Sequence, residues 1–250
     1  MVDYSKYRGI GFDDFRRLAA DPELSTYEKI GFPDSYREGK EDAIFSDIKA
    51  KLSNLQKPEK IVLDIGAGCS ELPKLLIDHC IDSQQKLYLI DSREMLSLLP
   101  DKKGVEKIAG YYPEDMQQLC NSLTAKVDVI LVYSVIQYVF TESNVWDFLD
   151  QSLGLLAEGG QMLIGDIPNI SKRKRFFSSN NGKEFHKQFM ATENEPEVIY
   201  NQIEKGQVDD TVVQAIVQRA RIQGFDAYIL PQADGLPMAN RREDILITRP

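Results

Sequence analysis

A mostly parallel α/β sheet wound with helices on both faces is the fold class that this 250-residue chain predicts. Three observations carry that prediction. From Lys60 onward, short apolar runs alternate with amphipathic stretches. A glycine turn follows the first of those runs, where open α/β sheets place a ligand. The last two runs follow each other with no helix between them, which puts an antiparallel edge on a sheet of seven strands.

Residues 1–40 read as an N-terminal extension or cap that mixes aromatics with Gly and Pro: Tyr7, Phe12, Phe15, Tyr27, Phe32 and Tyr36. Asp13 to Ala20 predicts a short helix within it, stopped near Asp21-Pro22. The main domain spans 41–250. It starts with an amphipathic helix over Glu41 to Leu55, where Ile44, Ile48, Leu52 and Leu55 recur at helical spacing. Ile61 to Ile65 is the first strand. A helix over Ser70 to Cys80 follows, with Ser70 as N-cap and Pro73 in its first turn.

Leu87 to Ile90, ending in Asp91, is the second strand; Val105 to Ala109 is the third and Val127 to Val132 the fourth. Val145 to Ala157 predicts a helix capped by Ser143 and stopped by Gly159-Gly160, with Gln161 to Gly165 as the fifth strand. Residues 168–207 interrupt the alternation with a polar, helix-prone, lid-like insertion. Thr211 to Gln223 is a helix capped by Asp209 or Asp210, carrying Val212, Val213, Ile216, Val217 and Ala220 on its apolar side and stopped by Gly224. Ala227 to Leu230 and Asp244 to Thr248 close the sheet.

A formal net charge of −9 weighs against a nucleic-acid partner, which calls for a broad basic surface, and favours a small-molecule or glycan ligand. The longest apolar run, Val127 to Val135, is too short for a membrane span and is broken by Asp128. The start, Met1-Val2-Asp3-Tyr4, lacks the apolar core of a signal peptide. Cys69, Cys80 and Cys120 have no metal-like spacing, and an odd number argues against a disulfide framework. A reducing cytoplasm is the expected compartment. No clustering of carboxylates marks a metal site.

The turn Asp64-Ile65-Gly66-Ala67-Gly68-Cys69-Ser70 lets the backbone approach a ligand with no Cβ in the way. Asp91 ends the next strand, where a carboxylate can accept both hydroxyls of a ribose. The pair points to an adenosine-containing cofactor. A dinucleotide fingerprint asks for glycine at position 71; this chain has Glu71, whose charge a pyrophosphate would repel.

In these residues the chain resembles the class I S-adenosylmethionine-dependent methyltransferases, over about Lys60 to Gly165. Val62-Leu63-Asp64-Ile65-Gly66-Ala67-Gly68 is similar to the family's first motif, with Ser70 in place of its last glycine. Asp128 to Val139 is similar to its fourth-strand motif, and Glu158 to Ile164 to its fifth-strand entry. The resemblance implies a Rossmann-like fold and S-adenosyl-L-methionine as cofactor, held by Asp64, Gly66, Ala67, Gly68, Asp91, Ser92, Tyr133 and Ser134. Gln137 and Tyr138 would then face the acceptor. Gly110-Tyr111-Tyr112-Pro113-Glu114 occupies the region where the family often keeps an acidic residue for adenine.

Methyl transfer is an in-line displacement that aligns the acceptor and, for a hydroxyl, removes its proton. Asp166, just past the fifth strand, is the first candidate for that work, and His186 in the insertion the second. On this reading Asp166→Asn abolishes turnover and leaves cofactor affinity intact. The run Lys172-Arg173-Lys174-Arg175, with Arg173 as its acceptor-contacting member, could attract an anionic acceptor, and Phe176-Phe177 would pack the insertion down as a lid. Plainer roles compete: Asp91 as N-cap of a helix starting at Ser92, Asp166 as cap of the turn before Pro168, His186 and the basic run as solvated helix faces, and Tyr133, Gln137 and Tyr138 as packing. His79 reads as structural.

The Gly165-Asp166-Ile167-Pro168-Asn169 element looks like methyltransferases of bacterial surface-polysaccharide clusters, and implies O-methylation of a sugar, glycan or other small-molecule hydroxyl. A nucleotide-cofactor oxidoreductase and a non-catalytic methyltransferase-like binding protein are the alternatives.

Overall fold

The structure is a computed structural model that describes residues 9–250; Tyr7 and the N-terminal start lie outside the described residues. Helices α1 (Phe12–Ala20), α2 (Thr26–Lys29) and α3 (Asp34–Arg37) form the extension, followed by α4 (Glu41–Lys51). The α/β part then runs β1 (Ile61–Ile65), α5 (Glu71–Asp82), β2 (Lys86–Asp91), α6 (Arg93–Ser97), β3 (Val105–Ala109), α7 (Gln117–Leu123), β4 (Val127–Tyr133), α8 (Ile136–Glu142), α9 (Val145–Leu155) and β5 (Leu156–Pro168). The insertion supplies α10 (Ile170–Ser178) and α11 (Asn180–Met190). Last come α12 (Asp210–Ile222), β6 (Asp226–Pro231) and β7 (Arg242–Thr248). No described helix is long and apolar enough to cross a membrane.

The seven strands lie in the order β3-β2-β1-β4-β5-β7-β6. β1 to β5 are parallel; β7 is antiparallel to both β5 and β6. Side chains alternate across each strand, and the core divides accordingly. Leu63, Ile65, Tyr88, Ile90, Ile130 and Val132 face α9 and α12. Val62, Leu87, Leu89, Val129 and Leu131 face α4 and α5. Both faces of the central strands are buried, so those strands read as continuous apolar runs.

Three sequence expectations shift. The predicted helix to Leu55 ends at Lys51, and Ser53–Gln56 continues as a 3₁₀ turn, although Leu52 and Leu55 stay fully buried. Asn144 caps α9 by accepting the Trp146 N–H, whereas Ser143 ends α8, its own N–H donating to Val139 O. Gly159-Gly160 does not stop α9. The pair lies inside a long β5, at an irregularity where Val127 pairs with Leu156 but Val129 with Gln161.

A second irregularity in β5, between Ile164 and Ile167, turns Asp166 to φ +57°. Bulges of this kind re-aim a side chain. The order of the strands reverses between β1 and β4, which opens a crevice at their carboxyl ends. The site lies there.

Candidate active site

The glycine turn is built for close approach. Gly66 (φ +76°) and Gly68 (φ +68°) occupy the left-handed region, which costs a residue with a Cβ about 1–2 kcal/mol. A Cβ on Gly66 would stand 2.5 Å from Val135 Cγ2, and one on Gly68 3.1 Å from Ile30 Cγ2. Gly66 N–H donates to Ile90 O (2.8 Å), so the turn is tied to the end of β2.

Asp91 completes that tie. Its Oδ2 accepts the Gly68 N–H at 2.8 Å and its Oδ1 the Ser92 N–H at 2.6 Å. Burial raises its pKa, against those backbone donors. Ser92 does different work: its hydroxyl accepts the Met95 N–H and caps α6. Asp64 is buried behind the turn and is not among the residues lining the cavity. Burial, then the charge of Asp91, pushes its carboxyl up to about 8.

These groups open onto a cavity of about 990 Å³, counted out to its mouth. Its walls include Gly66, Ala67, Gly68, Asp91, Tyr133, Ser134 and Tyr138, all named from the sequence. Met95, Tyr111, Tyr112, Val135 and Glu142 join them. The extension contributes Phe12, Phe15, Ile30, Phe32 and Arg37 to the lining. Phe12 meets Tyr111 edge-on at 5.0 Å, Phe15 meets Tyr138 at 4.9 Å, and Phe12 N–H donates to Glu142 Oε2 at 3.0 Å. Burial raises the phenols of Tyr133 and Tyr138, so both stay neutral and present O–H groups.

Asp166 is 3% exposed and does not line the cavity. Its Oδ2 takes Arg37 Nη2 at 2.6 Å and Arg242 Nη1 at 3.0 Å, and also the Ser134 hydroxyl. Its N–H donates to Asp244 Oδ1 at 2.8 Å, and Asp244 in turn takes Lys51 Nζ at 2.7 Å. The carboxylate is therefore committed to donors that join the extension, β4, β5 and β7. Arg37 also donates to Ser134 Oγ at 2.7 Å and lies 4.5 Å over the Phe32 ring. Sequence reasoning missed Arg37, because no local pattern tells a buried arginine in a short helix from a solvated one.

The other nominated residues lie elsewhere. Gln137 is absent from the lining; its Nε2 donates to Ser134 O at 2.7 Å. His186 and Arg173 line a second cavity, with Lys174, Phe177 and the stretch after α11. In the basic run Lys172 Nζ donates to Arg242 O, Lys174 pairs with Glu204 (3.1 Å), Arg175 pairs with Asp210, and Arg173 lies over the Phe177 ring (5.1 Å). Its charges are largely spoken for within the molecule. His79 hydrogen-bonds Leu55 O at 2.7 Å and packs edge-on to Phe45.

No protein-family model and no curated protein matches the chain. Solved structures do. The N-methyltransferase NodS from Bradyrhizobium japonicum, in complex with S-adenosyl-L-homocysteine, superposes with a TM-score of 0.56 at 13% identity, over 96% of this chain and 98% of that one. The plantazolicin methyltransferase BpumL, in complex with a triazolic desmethylPZN analog and S-adenosyl-L-homocysteine, gives 0.55 at 15% identity, over 96% and 98%. The CurJ carbon methyltransferase gives 0.54 at 13% identity, over 95% of this chain and 64% of that one. At such identities the likeness is one of fold, and it agrees with the strand order and the antiparallel β7: this chain has the Rossmann-like, seven-stranded methyltransferase fold.

Proposed function

We propose that this protein is an S-adenosylmethionine-dependent methyltransferase whose acceptor is a small molecule. One observation carries the reading: at the switch point of the sheet, a glycine turn that a Cβ would fill is joined through the Gly68 N–H to the Asp91 carboxylate, and both open onto one large cavity. The three structural neighbours support it, since all are methyltransferases and two hold S-adenosyl-L-homocysteine.

The residues present fit the cofactor. The Gly66–Gly68 backbone allows close approach, Asp91 would accept the ribose hydroxyls, and Met95 with Tyr111 and Tyr112 offers apolar surface for a planar base. When bound, the cofactor supplies an electrophilic methyl on a sulfonium. The chain's own task is then to align the acceptor and exclude water. Tyr133 and Tyr138, neutral and at the β4 end, orient it by donating hydrogen bonds; the rings of Phe12, Phe15 and Phe32 shield it. Asp166 acts as a positioning residue that holds Arg37 in place, and 168–207 serves as a lid, tied to the extension by the stacking of Phe189 on Tyr36 (6.2 Å).

For the acceptor we assign a hydroxyl of a sugar, a glycan or a related small molecule. The exposed apolar faces of the cavity rings suit the C–H face of a sugar ring as well as an aromatic one. NodS and CurJ are an N- and a carbon methyltransferase, so the fold leaves the acceptor atom to be measured. The test is mass spectrometry of the ligand carried by the purified protein, followed by labelled-methyl transfer across nucleotide-sugars, glycans, amines and phenols. Bound S-adenosyl-L-methionine or its demethylated product supports the reading; bound NAD(H), or no affinity for adenosyl ligands, refutes it.

A further inference from the structure

Helices α10 and α11 cross closely because Gly182 lacks a side chain: a Cβ there would stand 1.9 Å from Phe176 O and 2.9 Å from Phe177 Cα. His186 follows one turn after Gly182 and so meets Phe177, edge-on at 6.1 Å. Arg173, one turn before Phe177 on α10, lies over the same ring at 5.1 Å. Neither the Arg173 nor the His186 side chain forms an ion pair or a hydrogen bond among the described residues. Their basic neighbours differ. Lys183 pairs with Glu195 (2.7 Å), Lys187 with Glu193 (3.5 Å) and Lys174 with Glu204 (3.1 Å). With a hydrogen bond of 2.6 Å between the Tyr200 and Ser178 hydroxyls, these pairs strap the acidic stretch after α11 onto both helices.

The strap encloses the second cavity, about 770 Å³ counted out to its mouth, and none of its lining residues lines the first. Arg173, His186 and Phe177 face it from the helices; Pro196, Val198 and Ile199 face it from the strap. In the wall Lys174 and Glu204 cancel, and Glu197, exposed, pairs with no base among the described residues. Arg241 does not line the cavity but lies 5.8 Å over the Phe177 ring, and it too has no ion pair among the described residues. Burial holds its guanidinium below the ordinary arginine value, and the charges of Arg242 and Arg173 act the same way. Bases therefore outnumber acids here even with His186 neutral, in a chain of 39 acidic and 30 basic residues. An unpaired guanidinium beside an imidazole suits an oxyanion. The ring and the aliphatic strap residues suit an apolar body attached to it.

We propose that the insertion carries a second ligand site, for an organic phosphate or carboxylate: Arg173 and His186 take the anionic group, and Phe177 packs its apolar body against Pro196, Val198 and Ile199. The site is separate from the methyl-transfer cavity and gives work to two residues which that cavity does not use. Its occupancy holds the strap to α10 and α11, and so stabilises the insertion by mass action.

The chain has only 2 histidines, so the imidazole proton–carbon correlation spectrum of the full chain reports His186 directly, with His79, which lines neither cavity, as internal control. The probes are phenyl phosphate, benzoate and the neutral benzyl alcohol. At least one of the two anions is expected to shift His186 saturably, with a Kd on the order of 1 mM or below, and to leave His79 unmoved. The tighter anion identifies the charged group, and benzyl alcohol should bind about tenfold more weakly or worse. Arg173 is exposed, so Arg173→Gln keeps the fold, which an unmoved His79 signal checks, and should weaken the anion about tenfold. Glu197→Gln, which removes the unpaired acid of the wall, should tighten it. Saturating S-adenosyl-L-homocysteine should change nothing. No saturable His186 shift with either anion, equal binding of benzyl alcohol, or undiminished binding by Arg173→Gln overturns the site. Displacement of the anion by S-adenosyl-L-homocysteine places it in the first cavity and overturns the site as well.

Discussion

Replacing Asp166 by Asn distinguishes a chemical role from an architectural one. In the folded protein the Asp166 carboxylate, 3% exposed, lies against the guanidinium groups of Arg37 and Arg242 at 2.6 and 3.0 Å. Removing one partner of a buried pair costs about 3–5 kcal/mol, because the charge left behind is still desolvated. An Asn oxygen still accepts one hydrogen bond, which returns about 1 kcal/mol and leaves a loss of about 2–4 kcal/mol. The backbone adds little, since Asn tolerates the left-handed φ of +57° that Asp166 adopts.

For a domain of this size each kcal/mol lowers Tm by about 2–4 °C, so Asp166→Asn should melt about 4–16 °C below the wild type. Cofactor affinity should fall as well, because Arg37 loses its anchor and the extension its seat. Thermal unfolding followed by circular dichroism, with titration of S-adenosyl-L-homocysteine alongside, measures both. A general base makes the opposite prediction: turnover lost, Tm and cofactor affinity unchanged. That result would refute the positioning role.

Three further outcomes follow from the geometry. Gly66→Ala combines a left-handed backbone with a Cβ 2.5 Å from Val135; a loss of about 1–2 kcal/mol of stability is expected from the backbone alone, read as a lower Tm by circular dichroism, and an unchanged Tm would show that the turn carries no such constraint. His186→Ala should leave the Kd for S-adenosyl-L-homocysteine within twofold, since His186 does not line the main cavity; a larger change would show that the His186 side chain reaches the cofactor. Asp64 makes stability depend on pH. Its folded pKa of about 8 lies above the ordinary carboxylate value, so the folded state binds the extra proton between about pH 4 and 8, and stability falls as pH rises through that window. Asp64→Asn removes this contribution, so its Tm should gain on the wild type as pH rises from 5 to about 8; parallel Tm profiles would show that Asp64 carries no such penalty.

Local chemistry made much of the fold legible. β1 matches its sequence-predicted limits because a buried parallel strand is a short, mostly apolar run; β3 matches too, although Glu106 and Lys107 interrupt it at the half-exposed edge of the sheet; and Asp209 caps α12 as its position before an apolar stripe requires. Helices α7 and α8 are not legible in the sequence because two turns are too short to show a 3.6-residue period. The Ser143 and Gly159-Gly160 expectations failed for a related reason. Without α8 in view, the helix end at Ser143 passed for the next helix start, and glycines inside an irregular strand look like a helix stop.

The sequence by itself determined the glycine turn, the carboxylate at the end of β2 and the antiparallel edge, since each depends on residues close together in the chain. Only the tertiary structure decided which side chains beyond the glycine turn line the cavity. It removed Asp166 and His186 from the cavity lining and brought Arg37, Phe12, Phe15 and Phe32 into it. Asp166 and Arg37 meet across 129 positions of sequence. Which donor claims a buried carboxylate is a property of packing, and no local periodicity encodes it.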